Sequence, residues 1–360
     1  MIKLLIVDDS ALMRRQLAAL FEGESDFEIR LARNGREAVE ENCSFQPDVI
    51  TLDINMPEMD GLTALSMIMT ERPVPVVMIS SLTEKGALAT FEALNLGAVD
   101  YVVKPGGTIS LSMVSIRDVV ISKVRVAAKA RLKPFKKIGS PGAAIDRDPI
   151  PVSSPLPLPS LSSARRSPVR QGVVIVGVST GGPRTLELIL PKLPTNFPWP
   201  VLVAQHMPGS FTQSFAQRMN SLCAMDVVEA NRPMTLAPGT IYIAKGGADM
   251  QVVRRGDKLT VLARPENPEF LWHPSVELLG RSVLEHVEPA QVLAVMLTGM
   301  GSDGAEAFTA IKKRGGRTIA ESQESAVVFG MPAELINRGG ASMTLPAEKI
   351  AAQINTWVNG

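Results

Sequence analysis

Cysteine is nearly absent: Cys43 and Cys223 are the only two in 360 residues, and they lie far apart. Such a pair supplies neither a disulfide framework nor the clustered spacing of a zinc site. Histidine is also scarce, so any imidazole chemistry falls to His206, His273 or His286. No charge dominates. Lys plus Arg total 37 against 36 for Asp plus Glu, which gives no reason to expect nucleic acid or an anionic membrane as partner. No apolar run approaches the roughly 20 residues that cross a bilayer. The opening stretch from Met1 to Asp9 reaches acid too early for a signal peptide. A cytoplasmic protein without membrane insertion is the expectation.

What is present is a chain long enough for two domains, at about 100–200 residues each. In the first 105 residues, short apolar runs alternate with amphipathic stretches. Lys3–Val7, Phe27–Leu31, Val49–Leu52, Val74–Ile79 and Tyr101–Val103 read as strands, and segments such as Ala11–Phe21 and Arg36–Cys43 carry helix spacing. Five β-α repeats imply a parallel sheet covered on both faces, closed by a helix over about Ile116–Leu132. From Lys133 to Gln171 the chain turns rich in Pro, Ser and Gly, the composition of an extended flexible linker. A second β-α pattern follows, with strands at Val173–Val178, Val201–Gln205, Thr240–Ala244, Val292–Leu297 and Thr318–Ala320. Its closing stretch, Ala347–Val358, places Ile350, Ile354 and Val358 on one helical face. The expected class is α/β, with two doubly wound parallel-sheet domains: 1–120, then a helix extension and linker at 121–170, then 171–360.

In a doubly wound sheet, chemistry gathers at the carboxyl ends of the strands. The first domain places Asp8 and Asp9, Asp53, Ser80 and Lys104 at four such ends. Any one of these acids alone reads more readily as a helix cap; together they describe a pocket. Converging carboxylates repel unless a cation is bound, and an oxygen-only set suits Mg²⁺. Asp53 would then attack a phosphoryl donor. Lys104 and the metal would neutralise developing charge, while the Ser80 hydroxyl would bond a phosphoryl oxygen.

The strings LLIVDDS, DVITLDINMPEMDG, VVMISS and DYVVKP resemble the receiver domain of two-component response regulators, over about residues 1–120. The resemblance implies a flavodoxin-like fold with Asp53 as the phosphorylation site. It also implies Mg²⁺ held by Asp9, Asp53 and the backbone of Asn55, with Asp8 acting through water. Tyr101 falls at the family's switch aromatic, beside Ser80 and Lys104.

The second domain opens with VVIVGVSTGGPRTLELIL, a strand, a glycine turn and a helix with Pro183 in its first turn. Gly177-Val178-Ser179-Thr180-Gly181 fits G-x-S-x-G, the turn that lifts a serine hydroxyl above a sheet. Gly177 and Gly182 also stand at phosphate-loop spacing, but Pro183 occupies the place of that loop's lysine, and a glycine turn without chemistry stays open. A nucleophilic serine needs a base. His206 follows strand Val201–Gln205 directly and so shares a sheet edge with Ser179. His286 ends the amphipathic stretch Val276–Val287, where a cation favours the helix dipole. His273 lies in a loop as a surface residue or a substrate contact. Asp303, in the turn after Val292–Leu297, is an acid at a third strand end, with a cap for helix Ala305–Lys312 as its rival role.

Taken together, GVSTGGP, AQHMPGSFT, LTGMGSDGA and VVFGMP resemble the catalytic domain of the CheB family of chemotaxis protein-glutamate methylesterases, over about residues 171–360. The resemblance implies a Rossmann-like esterase domain with a Ser179–His206–Asp303 triad. Backbone N–H groups of Thr180 and Met300 would hold the oxyanion, and no cofactor is needed. It implies methylated glutamyl side chains on chemoreceptor cytoplasmic helices as substrate, with glutamine deamidation in some members, and a chemotaxis histidine kinase as phosphodonor. Lys245 and Asp249 depart from the family's usual Pro and His and are expected to alter the rim of the site. The competing reading is a response regulator whose second half is non-catalytic or binds DNA. A basic helix-turn-helix would be expected there, not glycine-rich strand ends.

Overall fold

The computed structural model describes residues 1–80, 83–104, 109–132 and 172–359; the segment read as a linker lies outside them. Ten elements open the chain: β1 (Ile2–Val7), α1 (Ala11–Glu22), β2 (Phe27–Ala32), α2 (Gly35–Ser44), β3 (Val49–Asp53), α3 (Gly61–Glu71), β4 (Val76–Ser80), α4 (Glu84–Leu96), β5 (Asp100–Val103) and α5 (Ile109–Ala127). The strands are all parallel, in the order β2-β1-β3-β4-β5. Every residue of β3 and β4 is buried, which is why these strands read as nearly unbroken apolar runs rather than alternating ones. Ser10, Asn34, Asp60 and Thr83 each accept the N–H three residues on, fixing where α1 to α4 begin. Helix α5 begins at Ile109 and stops at Ala127, earlier at both ends than the sequence suggested. Its continuation tightens into a turn through bonds from Lys129 N to Val126 O and Ala130 N to Ala127 O.

The second half contains β6 (Val173–Val178), α6 (Gly182–Ile189), β7 (Val201–Gln205), α7 (Gly209–Leu222), β8 (Asp226–Ala230), β9 (Met234–Thr235), β10 (Thr240–Ala244), β11 (Asp249–Arg255) and β12 (Lys258–Arg264). It continues through α8 (Val276–His286), β13 (Val292–Met296), α9 (Ala305–Lys313), β14 (Arg317–Glu321), α10 (Met331–Asn337), β15 (Met343–Leu345) and α11 (Ala347–Asn359). Seven strands form a parallel sheet in the order β15-β14-β13-β6-β7-β10-β8. The chain leaves β6 first toward β7 and later returns to β13 on its other side, so the strand order reverses at β6. Crevices open at such points.

Beside this sheet, β11, β12 and β9 form a small antiparallel sheet that the apolar patterning did not reveal. A signal was available. Arg255 pairs with Lys258, leaving the two-residue turn Gly256-Asp257 with Gly256 at φ 57°, the glycine-led form that suits a hairpin. In α11, Ile350 and Ile354 are buried and Val358 partly so, as the spacing predicts.

The two parallel-sheet regions share apolar contacts. Tyr101 of β5 stacks on Phe211 of α7, ring centroids 4.9 Å apart, and Phe91 of α4 lies 5.5 Å from Phe215. All four rings are buried. Aromatic pairs at this separation add about 0.5–1.5 kcal/mol beyond their burial.

One glycine fixes how β3 leads into α3. Gly61 donates its N–H to Ile54 O at 2.8 Å, and a Cβ there would overlap the Asp53 carbonyl oxygen. The obstacle is backbone, so it cannot rotate away. Gly61→Ala should therefore destabilise the first domain by roughly 3 kcal/mol, the upper end for overpacking, read as an earlier transition in urea denaturation followed by circular dichroism.

Candidate functional site

Two clusters of polar side chains stand at carboxyl strand ends. In the first, Asp8 follows β1, Asp53 ends β3 and Lys104 follows β5. Lys104 Nζ lies 2.9 Å from both Asp8 Oδ2 and Asp53 Oδ2. Asp8, Asp9 and Asp53 each bring an oxygen within 4.8 Å of the others. Asp8 and Asp53 are buried, whereas Asp9 and Asn55 are exposed. The carboxylates are oriented locally: Ser10 N donates to Asp8 Oδ1 at 2.9 Å and Ile54 N to Asp53 Oδ1 at 2.8 Å.

Burial pushes the Asp53 carboxyl above its ordinary value; Lys104 opposes that rise and the Asp8 charge adds to it. Burial works against charge on Lys104 too, but its bonds to Asp53 and Asp8 outweigh that and raise its pKa. One ammonium against three carboxylates leaves net negative charge on an oxygen-only donor set, which fits a hard divalent cation such as Mg²⁺. Ser80, at the end of β4, donates its hydroxyl to Gly86 O at 3.2 Å and accepts from Thr90 Oγ1 at 2.8 Å. It is thus engaged with α4. Tyr101 is buried with its hydroxyl unpaired among the described residues. Burial, reinforced by the Asp100 charge, raises that phenol well above its usual pKa.

The second cluster forms where β13, β6 and β7 lie side by side. Ser179 follows β6, His206 follows β7, and Asp303 lies in the turn after β13. His206 Nε2 is 2.8 Å from Asp303 Oδ2, and both side chains are 7% exposed. The other imidazole nitrogen, Nδ1, is buried without a hydrogen-bond partner among the described residues. Among the described residues, no hydrogen bond joins Ser179 Oγ to His206, although both line one cavity of about 470 Å³. Their backbones are tied together: His206 N donates to Val178 O, and Gln205 Nε2 donates to both Ser179 O and His206 O. Gly299 packs so closely that a Cβ would come within 2.7 Å of Ser179 Cβ.

Asp303 does not cap α9, which follows Gly304 with no side-chain cap. It caps α8 instead, accepting from Ser275 Oγ at 3.1 Å, Val276 N at 2.7 Å and Glu277 N at 3.0 Å. Burial alone would raise this carboxyl; the His206 bond and charge, with those N–H groups, bring it below the usual carboxylate value.

Thr180 and Met300, the expected oxyanion donors, have backbone N–H groups that bond no acceptor among the described residues. Their side chains meet the first domain. Thr180 Oγ1 donates to Asp100 Oδ2 at 2.6 Å, and Ser122 Oγ to Met300 Sδ at 3.1 Å. Asp100 and Ser122 were not anticipated, since both read as ordinary polar positions in sequence.

Asp249, expected at the rim, is fully buried and accepts from His273 Nδ1 at 2.9 Å. Lys245 is exposed. His286 ends α8, where its carbonyl accepts from Arg254, and it does not line the cavity.

Residues 174–354 match CheB methylesterase and residues 4–113 match the response regulator receiver domain. The chain belongs to the CheB methylesterase family. The protein-glutamate methylesterase/protein-glutamine glutaminase 3 of Rhodospirillum rubrum is 54% identical, over all of this chain and 97% of its own. The protein-glutamate methylesterase/protein-glutamine glutaminase of Caldanaerobacter subterraneus is 49% identical over 99% of this chain and 97% of its own. The crystal structure of the Thermotoga maritima CheB methylesterase catalytic domain aligns with a TM-score of 0.50 at 38% identity, covering 52% of this chain and 98% of that one. The family is one of hydrolases, here with a receiver domain in front. Among the described residues no helix is long and apolar enough to cross a membrane.

The Asp53 shift has a consequence for stability. A carboxyl whose folded pKa is raised costs stability once ionised, and the cost disappears as pH falls through that raised value. Asp53→Asn should therefore melt at a higher temperature than the parent at neutral pH without Mg²⁺. The gap should narrow on acidification, as the parent's Asp53 takes up its proton.

Proposed function

We propose that the chain is a phosphorylation-controlled, cytoplasmic protein-glutamate methylesterase, acting on glutamyl γ-methyl esters of chemoreceptors and on receptor glutamines by the same acyl chemistry. The observation that carries this reading is the buried His206–Asp303 pair beside Ser179, with one imidazole nitrogen unpaired among the described residues. The names of the relatives support the substrate class. The division into a receiver at 1–120, an extension and linker at 121–170, and an esterase domain at 171–360 belongs to the same reading.

In the proposed mechanism Ser179 Oγ attacks the ester carbonyl carbon as its proton passes to His206 Nδ1. Asp303 keeps Nε2 bonded and offsets the imidazolium charge. The Thr180 and Met300 N–H groups receive the oxyanion, a contribution commonly worth around 3–4 kcal/mol for one donor. His206 returns the proton to the departing methoxide, and methanol leaves. Water, deprotonated by the same imidazole, then attacks the acyl carbon and releases Ser179. For glutamine the leaving group is ammonia.

In the receiver, Asp9, Asp53 and the Asn55 backbone would hold Mg²⁺, with Asp8 acting through water; the ion would neutralise charge as Asp53 takes a phosphoryl group from a histidine kinase. The link to the esterase is supported by contact. Tyr101, Val119 and Lys123 wall the cavity that holds Ser179, and in this reading they keep a receptor helix from it while they stay. Phosphorylation would draw Ser80 from Gly86 and Thr90, at the base of the helix carrying Phe91, and so loosen the aromatic contact with Phe211 and Phe215. Moving a 99:1 closed population to even takes about 2.7 kcal/mol, at roughly 1.4 kcal/mol per factor of ten.

Methanol release from methylated receptor membranes tests the chemistry. Ser179→Ala should lose at least about 10³-fold and His206→Gln nearly as much, because members of a triad act as a unit. His286→Gln should keep the parental rate. A Ser179→Ala protein with appreciable turnover would remove that residue from the nucleophile's role.

Residues 171–360 alone test the control. They should give an esterase faster than the unphosphorylated full chain and indifferent to acetyl phosphate, whereas the full chain accelerates with it. A fragment that folds by circular dichroism yet is no faster would mean that the receiver activates the site rather than covering it.

A further inference from the structure

We propose that Trp272 is a positioning residue for hydrolysis, set over His206 by a buried anchor at Asp249; this rests on the Ser179–His206–Asp303 reading. The indole lies nearly flat on the imidazole, with ring centroids 5.6 Å apart and planes 13° from parallel. Its Nε1 side reaches the glycine turn after β13, where a Cβ at Gly301 would stand 3.7 Å from Nε1. Trp272 therefore bridges the imidazole and the turn that carries Met300 and Asp303.

An exposed loop does not hold such a geometry unaided. Leu271 beside it is 91% exposed, so the chain at this point has little packing of its own. The fixity comes from below. Asp249, at the start of β11, is 0% exposed and gathers three donors from the loop. Asn267 N bonds Oδ2 at 2.9 Å, Ser275 N bonds Oδ1 at 2.8 Å, and His273 Nδ1 bonds Oδ1 at 2.9 Å. One carboxylate thus ties both ends of the 267–275 segment and the residue next to Trp272. Ser275 in turn caps α8 and donates to Asp303 Oδ1, so the anchor also reaches the carboxylate that holds His206.

The chemical effect follows from the charge that appears during reaction. As Ser179 Oγ bonds the carbonyl carbon, its proton moves to Nδ1 and the imidazole becomes a cation between Asp303 and the indole face. An aromatic face attracts a cation, so Trp272 favours the imidazolium of the transition state over the neutral ring of the resting enzyme. Stabilisation realised only there raises kcat, not binding.

The test uses the full chain, activated with acetyl phosphate, and methanol release from methylated receptor membranes. Trp272→Leu should lower kcat about tenfold, the equivalent of about 1.4 kcal/mol, with KM nearly unchanged; Trp272→Phe should restore most of it. Asp249→Ala should lower kcat similarly, and the double variant Asp249→Ala/Trp272→Leu should fall little further, because both act through one imidazole. Circular dichroism and labelling of Asp53 report that each variant is folded. A rise in KM at constant kcat would make Trp272 a wall of the substrate groove and overturn the proposal, as would additive losses or no rescue by Phe. Ser179→Ala runs alongside. If it is inactive while Trp272→Leu is normal, the inference alone fails; if it stays active, the underlying triad reading fails.

Discussion

A carboxylate buried beside an imidazole has to be held, and much of the second domain is arranged around holding Asp303. Removing an ionised carboxyl from water is costly unless charge and hydrogen bonds replace the lost hydration. Asp303 receives a hydroxyl and two N–H groups from the start of α8, as well as His206. The free N–H groups of a helix start favour negative charge, so α8 is as much a part of the site as the strands are. This explains why the acid's pKa lies below the usual carboxylate value despite burial and why it can hold one imidazole nitrogen.

The same constraint accounts for what was legible in the sequence and what was not. Strand-end positions could be read, because parallel strands buried on both faces leave unbroken apolar runs such as those ending at Asp53 and Val178. Asp8, Asp53 and Lys104 come together as expected, and so do His206 and Asp303. What that pattern could not give was the partner of each polar group. Asp303 looked like a cap for the helix just after it, yet it serves α8, which precedes it in the chain. Asp249 reads as a rim residue through its departure from the family's usual His, and nothing periodic in the loop that holds its partners, Asn267, His273 and Ser275, points to them. The β11–β12 hairpin is marked in the sequence by its turn, Gly256-Asp257, rather than by a long apolar run.

Contacts between the two domains were the least legible of all. Tyr101 stands where the resemblance puts a switch aromatic, and nothing in the sequence marks Phe211 and Phe215 as more than apolar positions of α7. Nothing in their spacing says that Tyr101 stacks on Phe211. Thr180 carries the same ambiguity: in the sequence it is only the residue after a candidate nucleophile, while in the structure its hydroxyl is taken up by Asp100 of the first domain. Asp100 is itself paired with Lys123 at 2.8 Å, so the acid that meets Thr180 is fixed before the contact is made.

The arrangement explains how a phosphoryl group on one sheet can affect chemistry on another without a dedicated relay. Ser80 is bonded to the first turns of α4, and Phe91, one residue beyond Thr90, packs against α7. That helix begins three residues after His206. A change at Ser80 is therefore separated from the imidazole by one helix on each side of an aromatic contact, all within close-packed interior where displacements are transmitted rather than absorbed. Coupling needs only two arrangements of this contact that differ by a few kcal/mol. The pairing of an apolar stack with a few polar bonds, such as those at Thr180 and Met300, suits such a balance. The stack supplies adhesion with little directional demand, whereas the bond between Asp100 and Thr180 is short and directional and is lost at once when the surfaces part. Separation would then free the hydroxyl next to Ser179 and open the wall of its cavity in the same movement.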